Sequence, residues 1–351
     1  MARRAGIFVI EFALGMGPKL LTFRGKKKSE YPIEGEENVT LYTLRLLPIG
    51  GFCSVRGQDE DMPDDPEAMT GKPILSRALF MAGGSFFNFA LALLLFFAIV
   101  FLTGYSVPQV HHLQQGSPAE RGGLVEGDRI THLNGNRVRL WESFRWELDA
   151  NGGQPMDVRT VRDGQRIDLV ITPEMSTDGV YRIGFSAVRY FGFIADLPNV
   201  DGIYRVSVGG SLLTAVDMIG FHIRMPFRML AQAVTRQPLP DGGGVMGPIG
   251  IATVVTDVYQ ETINYGFINM LLPMIFLTAL ISVALGIMNL LPIPALDGSR
   301  LVFLFIEAIR RKPVSREREG MVHLVGFVVL IVLAIFIAYR DIANIISGPP
   351  L

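Results

Sequence analysis

Three runs separate themselves from the rest of the chain because no Asp, Glu, Lys or Arg interrupts them. They are "ALFMAGGSFFNFALALLLFFAIVFLT" over 78–103, "FINMLLPMIFLTALISVALGIMNLLPIPAL" over 267–296 and "MVHLVGFVVLIVLAIFIAY" over 321–339. Each is long enough to cross a hydrocarbon core of about 30 Å as a helix. The pattern therefore predicts transmembrane helices at 78–103, 267–296 and 321–340. Ahead of the first run the period drops to two. "GIFVIEFALGMGPKLLTFRG" alternates as strands do and turns at Gly15-Met16-Gly17-Pro18, and "VTLYTLRLLPIGGFCSVRG" repeats the device around Pro48 to Gly51. Two tandem hairpins are expected to form a small antiparallel sheet in a membrane-associated region, residues 1–77, that also holds the loop leading into the first span. That loop, "GQDEDMPDDPEAMTGK", is acidic, contains proline and has no period.

Composition agrees with the pattern. The 351 residues are 49% hydrophobic, with a mean hydropathy of +0.35. A net charge of -1 argues neither for nor against nucleic acid by itself; with three spans, the expected partner is the lipid bilayer and not nucleic acid. Cys53 is the single cysteine, which excludes an internal disulfide and a cysteine-rich zinc site. The opening "MARRAGIFVIEFALGMGPKL" has a basic pair but only a short apolar stretch broken by Glu11, so a cleavable signal peptide is not expected. Basic residues set the orientation. Arg3, Arg4, Lys19, Arg24, Lys26, Lys27, Lys28, Arg45, Arg56, Lys72 and Arg77 precede the first span, and Arg300, Arg310, Arg311, Lys312, Arg316 and Arg318 lie between the second and third. Both segments are expected in the cytoplasm, which puts 104–266 outside.

Within that outer region, "GSPAERGGLVEGDRITHLNGNRV" combines a helix start, a Gly-Asp turn and a strand ending in Asn-Gly. Residues 107–190 resemble a bacterial PDZ domain, with "YRIGFSAV" as the last strand. The resemblance implies that an extended peptide adds to a sheet edge, with Gly184 and Phe185 as peptide contacts. A PDZ domain that only caps or gates its neighbour is the alternative. Residues 191–266 read as a linker and a membrane-surface helix: 204–240 mix apolar positions with Arg224, Arg228 and Arg236, which suits a helix lying along the membrane better than a fourth span.

The segments "EFALGMGPKL", "LPIGGFCSVRGQDE", "SRALFMAGGSFFN", "GVMGPIGIA", "NLLPIPALDGSRL" and "EREGMVHLVGF" stand in the order of landmarks of the site-2 protease family of intramembrane zinc metalloproteases. The chain resembles that family from its first residues to about 340, and within it the regulator-of-sigma-E type with one PDZ domain. The fold class expected is thus a multi-pass α-helical membrane protein with a cytoplasmic-side β-hairpin sheet and an extracytoplasmic PDZ domain. The resemblance implies that Asp297, in the LDG motif, is a Zn2+ ligand, and that the place of work is the bacterial cytoplasmic (inner) membrane. Pro292 and Pro294 cannot continue helical hydrogen bonding, so the chain can unwind beside Asp297. Those prolines, Asn289 and Gly298 are the expected substrate-binding residues. Read alone, Asp297-Gly298 also fits a helix end at the water interface, with Asp297 solvated or paired with Arg300.

One departure is serious. The family takes two zinc ligands and its general base from an HExxH helix, and this sequence contains no HExxH. None of its histidines, His111, His112, His132, His222 and His323, has a partner four residues on, and each is expected to be a surface, packing or interfacial residue. No catalytic residue is therefore assigned. In the family that helix ends just before the segment resembling "ARRAGIFVIEFALGMGPKL", so the resemblance implies that the chain begins directly after it and is inactive as written. With the helix in place, the implied activity is metal-assisted peptide hydrolysis of transmembrane proteins such as anti-sigma factors or signal-peptide remnants. The competing expectation is a non-catalytic membrane protein that binds peptides or a partner through its PDZ domain. A transporter is weaker still, because Asp297 stands almost alone as an ionisable group in the spans. Gly83, Gly84 and Ser85 favour close helix packing, although the family usually has proline where Gly84 stands.

Overall fold

The structure is a computed structural model that describes residues 2–31, 38–58, 62, 65–176, 179–186, 203–204, 207–235, 247–264 and 266–347. It comprises two compact units, Met1–Phe87 with Met288–Val329 and Asn88–Ile287 with Leu330–Leu351. Arg236, the end of the expected PDZ segment (187–190) and the start of "GVMGPIGIA" lie outside the described residues.

In the first unit, β1 (Val9–Lys28) and β2 (Val39–Val55) are long, bent strands that pair with one another. Two tandem hairpins were expected, and the register corrects this. Residues 39–45 enter between the arms 9–14 and 19–28 of the first expected hairpin: Leu21 pairs with Leu44 and Lys28 with Val39 on one side, Glu11 with Leu41 and Leu14 with Leu44 on the other. Residues 51–55 then close onto the free edge of 9–14, Val9 opposite Val55 and Leu14 opposite Gly51. The Glu11–Leu41 to Leu14–Leu44 pairs run in the same direction along both segments, so the sheet is not purely antiparallel.

A buried carboxylate explains the interleaving. Glu11 accepts from Thr43 Oγ1 at 2.6 Å and Arg45 Nη2 at 2.7 Å, with Lys19 Nζ at 3.3 Å. An isolated first hairpin would leave it without Thr43 and Arg45. Glycine permits the close approach, since a Cβ on Gly15 (φ +86°) would stand 2.4 Å from Leu47 O. Alternation then places Glu11, Ala13 and Thr43 inside and exposes Phe12, Leu14, Tyr42 and Leu44 on the opposite face. Beneath the sheet Arg56 is fully buried, 4.7 Å above the Phe8 ring and paired with Asp65 and Glu67 at 3.4 and 3.2 Å.

Helices follow. α1 (Ile74–Met81) and α2 (Gly83–Thr103) are separate, so the helix expected from 78 breaks at Ala82, just before the poor helix former pair Gly83-Gly84. In the second unit α2 leads to β3 (Tyr105–Ser106), β4 (His112–Leu113), α3 (Pro118–Arg121), β5 (Arg129–Leu133), β6 (Asn136–Arg137), α4 (Trp141–Ala150), β7 (Met156–Arg162) and β8 (Gln165–Ile171). Short strands β9 (Glu174–Met175), β10 (Tyr181–Arg182), β11 (Phe185–Ser186) and β12 (Ile203–Tyr204) complete it. The main sheet has the order β6-β5-β7-β8, while β11 pairs with β4. Val110, Leu124, Ile130, Leu133, Phe144 and Val158 make its core.

Then come α5 (Val208–Thr235), α6 (Pro248–Ile263), α7 (Phe267–Leu290), α8 (Asp297–Arg310) and α9 (Arg316–Ser347). Gly83–Thr103, Met270–Leu290 and Glu317–Ala343 are long and apolar enough to cross a membrane. A second core joins Ala92, Phe96 and Val100 of α2 to Ala215 and Met218 of α5 and Ala279 and Val283 of α7. Leu140, just ahead of α4, is buried in that same core and so anchors the β domain to the helices. Asp341 of α9 accepts from the backbone amides of Gly247 (3.1 Å) and Gly250 (2.8 Å), capping α6, whose own N-cap residue has no side chain.

Candidate functional site

The run that ends in Asp297 is helical only to Leu290. Pro292 and Pro294 lack amide donors, and the backbone between them is held by single turns, Ile293 N–H to Leu291 O at 2.7 Å and Leu296 N–H to Ile293 O at 3.1 Å. Ala295 is driven to φ +75°, the left-handed region that a side chain disfavours. The chain then reverses into α8, with extended Leu296 at the N-cap and Asp297 as the first helical residue. A carboxylate there is favoured by the positive end of the helix dipole.

Four contacts within the unit hold this turn. The Ala295 amide donates to His323 Nδ1 on α9 at 3.0 Å. A Cβ on Gly298 would meet Leu291 O at 2.1 Å, and one on Gly326 of α9 would meet Pro294 Cβ at 2.1 Å, so both positions tolerate only glycine without displacement. Arg77 of α1 grips Glu307 of α8 through both terminal nitrogens, at 3.1 and 2.5 Å. Asp297 itself is exposed, and Gly84 at the start of α2 is close enough that an added Cβ would lie 3.9 Å from its Oδ2. A side chain at Gly84 would thus touch the carboxylate at ordinary van der Waals distance.

The sequence-predicted residues cluster here. Asn289 is half-buried on the last turn of α7, Pro292 is exposed, Pro294 packs on Gly326, and Gly298 is buried beneath Asp297. The histidines do not join them as a ligand set. His112 contacts Glu126, His132 contacts Thr131, and His222 bonds Met218 O and stacks on Phe96. Among the described residues no group of three or more His, Cys, Asp and Glu converges as a metal site. Since a catalytic zinc takes three protein ligands, the residues described here do not by themselves fit one. What reading the sequence missed is the buttress, His323 as acceptor and Gly326 as the seat of Pro294.

A second site lies in the β domain, where a groove of about 1430 Å³ runs between Trp141, Arg145 and Leu148 of α4 and the segment 183–186. Gly184 O accepts from Gln114 N–H and Ser186 O from His111 N–H, each at 3.0 Å, so these residues spend their backbone groups on the β4 side. Strand alternation turns those of Phe185 to the groove. Gly184 has φ +85°, and a Cβ there would stand 2.3 Å from Ser117 Cβ. The Phe185 ring meets Trp141 and Phe144 at centroid distances of 5.9 and 5.4 Å.

Three helices long and apolar enough to cross a membrane, a carboxylate at a proline-broken helix end and a β domain with an open groove define the class, a multi-helix membrane protein with an appended β domain. Peptidase family M50 matches residues 1–333, and the chain belongs to that family. It is 28% identical to the zinc metalloprotease RasP of Geobacillus kaustophilus over 97% of this chain and 92% of the relative. It is 29% identical to the regulator of sigma-W protease RasP of Bacillus subtilis over 98% and 93%. Among solved structures, the PDZ domain of an SdrC-like protein from Listeria monocytogenes aligns with 24% of this chain and 90% of its own length, at 21% identity and a TM-score of 0.22.

Proposed function

We propose that this chain is an intramembrane metalloprotease component that cleaves membrane-anchored proteins, with the turn 289–298 as the place where an unwound substrate strand meets the reacting group. The observation that carries this is Asp297, a carboxylate delivered by a proline-broken turn that His323, Gly298 and Gly326 hold in one geometry. A carboxylate near a bilayer costs several kcal/mol unless it pairs with a cation or metal. The zinc of the named relatives is such a partner, and Asp297 would be one of its ligands. Asn289 and the backbone groups around Pro292 and Pro294 would hold the substrate strand, buried Gly298 keeping the turn closed beneath them.

The loops flanking the outer region carry the basic residues, which supports a cytoplasmic position for the β1–β2 sheet and an extracytoplasmic one for the PDZ-like domain. The exposed apolar face at Phe12, Leu14, Tyr42 and Leu44 supports membrane association of that sheet. Substrates of the anti-sigma-factor or signal-peptide-remnant kind, and a bacterial cytoplasmic membrane, follow from the resemblance and from the sigma-W protease among the relatives. The groove at Gly184 and Phe185 would select peptides outside the membrane.

The test is cleavage of a single-span substrate in vesicles by protein expressed from its own genomic frame. Asp297→Asn is expected to lower turnover by more than about 100-fold with helix content and melting unchanged. Wild-type turnover in that variant would remove Asp297 from the site. The absence of HExxH from the sequence favours one other reading, a non-catalytic PDZ-bearing binder. It would stand if the folded protein from that genomic frame, supplied with zinc, cleaved nothing.

A further inference from the structure

We infer that the junction of α4, β6 and α5 is a binding site for the headgroup of one anionic phospholipid. A pocket of about 130 Å³ opens there, with Arg137 from β6, Ser143, Trp146 and Glu147 on the α4 side, and Arg224 and Arg228 from α5. Water occupies about 30 Å³ per molecule in the liquid, so this space suits one phosphate group with a little solvent. Three guanidinium groups face a single carboxylate among the lining residues, and that carboxylate is already engaged: Arg228 Nη1 donates to Glu147 Oε1 at 2.5 Å. The remaining positive charge belongs to Arg137 and Arg224. Arg224 Nε is tied to Gly220 O at 2.9 Å, which fixes the plane of its guanidinium while the terminal nitrogens retain their donors. Planar forks of this kind match phosphate oxygens in pairs, with more directional donors than lysine provides.

A second observation identifies the phosphate as a lipid's. Leu212, Val216, Phe227, Leu230 and Val234 of α5 are all exposed. Their helical spacing puts them on one stripe, turned away from the buried Ala215 and Met218. Arg224 and Arg228 border that stripe. A helix with an uncovered apolar face and arginines along its edge buries the stripe among acyl chains and keeps the charges at headgroup level. A free phosphate ion would use the arginines and leave the stripe bare. A lipid of net negative charge uses both. The inference requires the chain to lie at a membrane but is independent of any protease activity, because lipid retention is read without cleavage.

The test uses the full chain in a mild zwitterionic detergent, with dioleoylphosphatidylglycerol, dioleoylphosphatidylcholine and inorganic phosphate as probes, and native mass spectrometry as the readout. One phosphatidylglycerol is expected to be retained about tenfold more tightly than phosphatidylcholine, and a 100-fold excess of inorganic phosphate is expected not to displace it. Arg137→Gln and Arg224→Gln should each weaken retention about tenfold, and Arg224→Lys should recover part of it. Arg310→Gln, on α8, should change nothing. Equal retention of the two lipids, or retention indifferent to Arg137→Gln and Arg224→Gln in folded protein, would overturn the site. Displacement by inorganic phosphate at comparable concentration would overturn the lipid assignment. If a glutamine variant fails to fold, the Arg137→Lys and Arg224→Lys pair decides, since a lipid site must then show weakened but selective retention.

Discussion

The backbone amide of Ala295 and the Nδ1 of His323 are 3.0 Å apart, and this bond fastens the turn before Asp297 to the last apolar helix. His323 must present a lone pair at Nδ1 to accept it, so the neutral ring carries its proton on Nε2. Replacing the acceptor leaves a half-buried amide without a partner, which costs about 1–3 kcal/mol. His323→Ala is therefore expected to lower the melting temperature of the detergent-solubilised chain and to speed hydrogen exchange at Ala295. Ala295→Gly should go the other way, because φ +75° costs an alanine about 1 kcal/mol that glycine does not incur. Unchanged exchange at Ala295 in His323→Ala would mean that the turn is held by its own short-range bonds.

Gly298→Ala tests the floor of the site. The new methyl would meet Leu291 O at 2.1 Å and Leu290 O at 2.6 Å, and both atoms are backbone that cannot rotate away. Overpacking of this kind costs about 1–3 kcal/mol or shifts the chain, and here the shift would carry Asp297 with it. Loss of cleavage with only a modest fall in melting temperature is the expected pattern. A variant as stable and as active as the wild type would show that the turn has slack.

How much of this was legible beforehand depends on the range of the interaction. The three apolar runs announced helices because uncharged stretches of that length have few other uses, and Pro292 with Pro294 announced the end of α7. Asp297 stood out by its motif. Alternation along β1 and β2 showed which residues share a face, but it is silent about which strand lies next to which. That was settled by a distant pairing, the need of Glu11 for Thr43 and Arg45. His323 read as an interfacial histidine because its partner amide is 28 residues away. Gly326 looked like any glycine in an apolar helix until Pro294 was found resting on it.

The Glu11 cluster gives a pH dependence of definite sign. Burial pushes the Glu11 carboxyl up, but hydrogen bonds from Thr43, Arg45 and Lys19 together with the Lys19 charge outweigh it, and the group lies below its ordinary value. A carboxylate with a depressed folded pKa contributes stability above its unfolded pKa of about 4.3 and loses it as pH falls through the lower, folded value. The difference in melting temperature between wild type and Glu11→Gln should accordingly be full at pH 7 and narrow below about pH 4. A gap that widened on acidification would reverse the sign and refute the assignment.

The groove at Gly184 and Phe185 makes the last prediction, and it separates a peptide-binding domain from one that only gates its neighbour. Phe185 turns its backbone groups toward the groove and packs its ring edge-on against Trp141, 5.9 Å between centroids. Because Trp141 is one of just two tryptophans in the chain, its emission is a usable reporter of what enters. A strand added along 183–186 would bury that indole further and shift the emission to shorter wavelength. Phe185→Ala removes the aromatic wall together with some packing against the domain core, and in protein whose folding is checked by its melting it should weaken binding of an extended apolar peptide by about tenfold. Gly184→Ala acts differently, since its methyl would strike Ser117 Cβ at 2.3 Å and φ +85° is strained for alanine, so it should lower stability by about 1–3 kcal/mol as well as binding. Comparing a free carboxyl terminus with its amide then tells whether the end of the peptide or only its backbone is read. If no peptide moves the Trp141 emission while Phe185→Ala still alters cleavage in vesicles, the groove acts as a gate and the peptide-binding role falls.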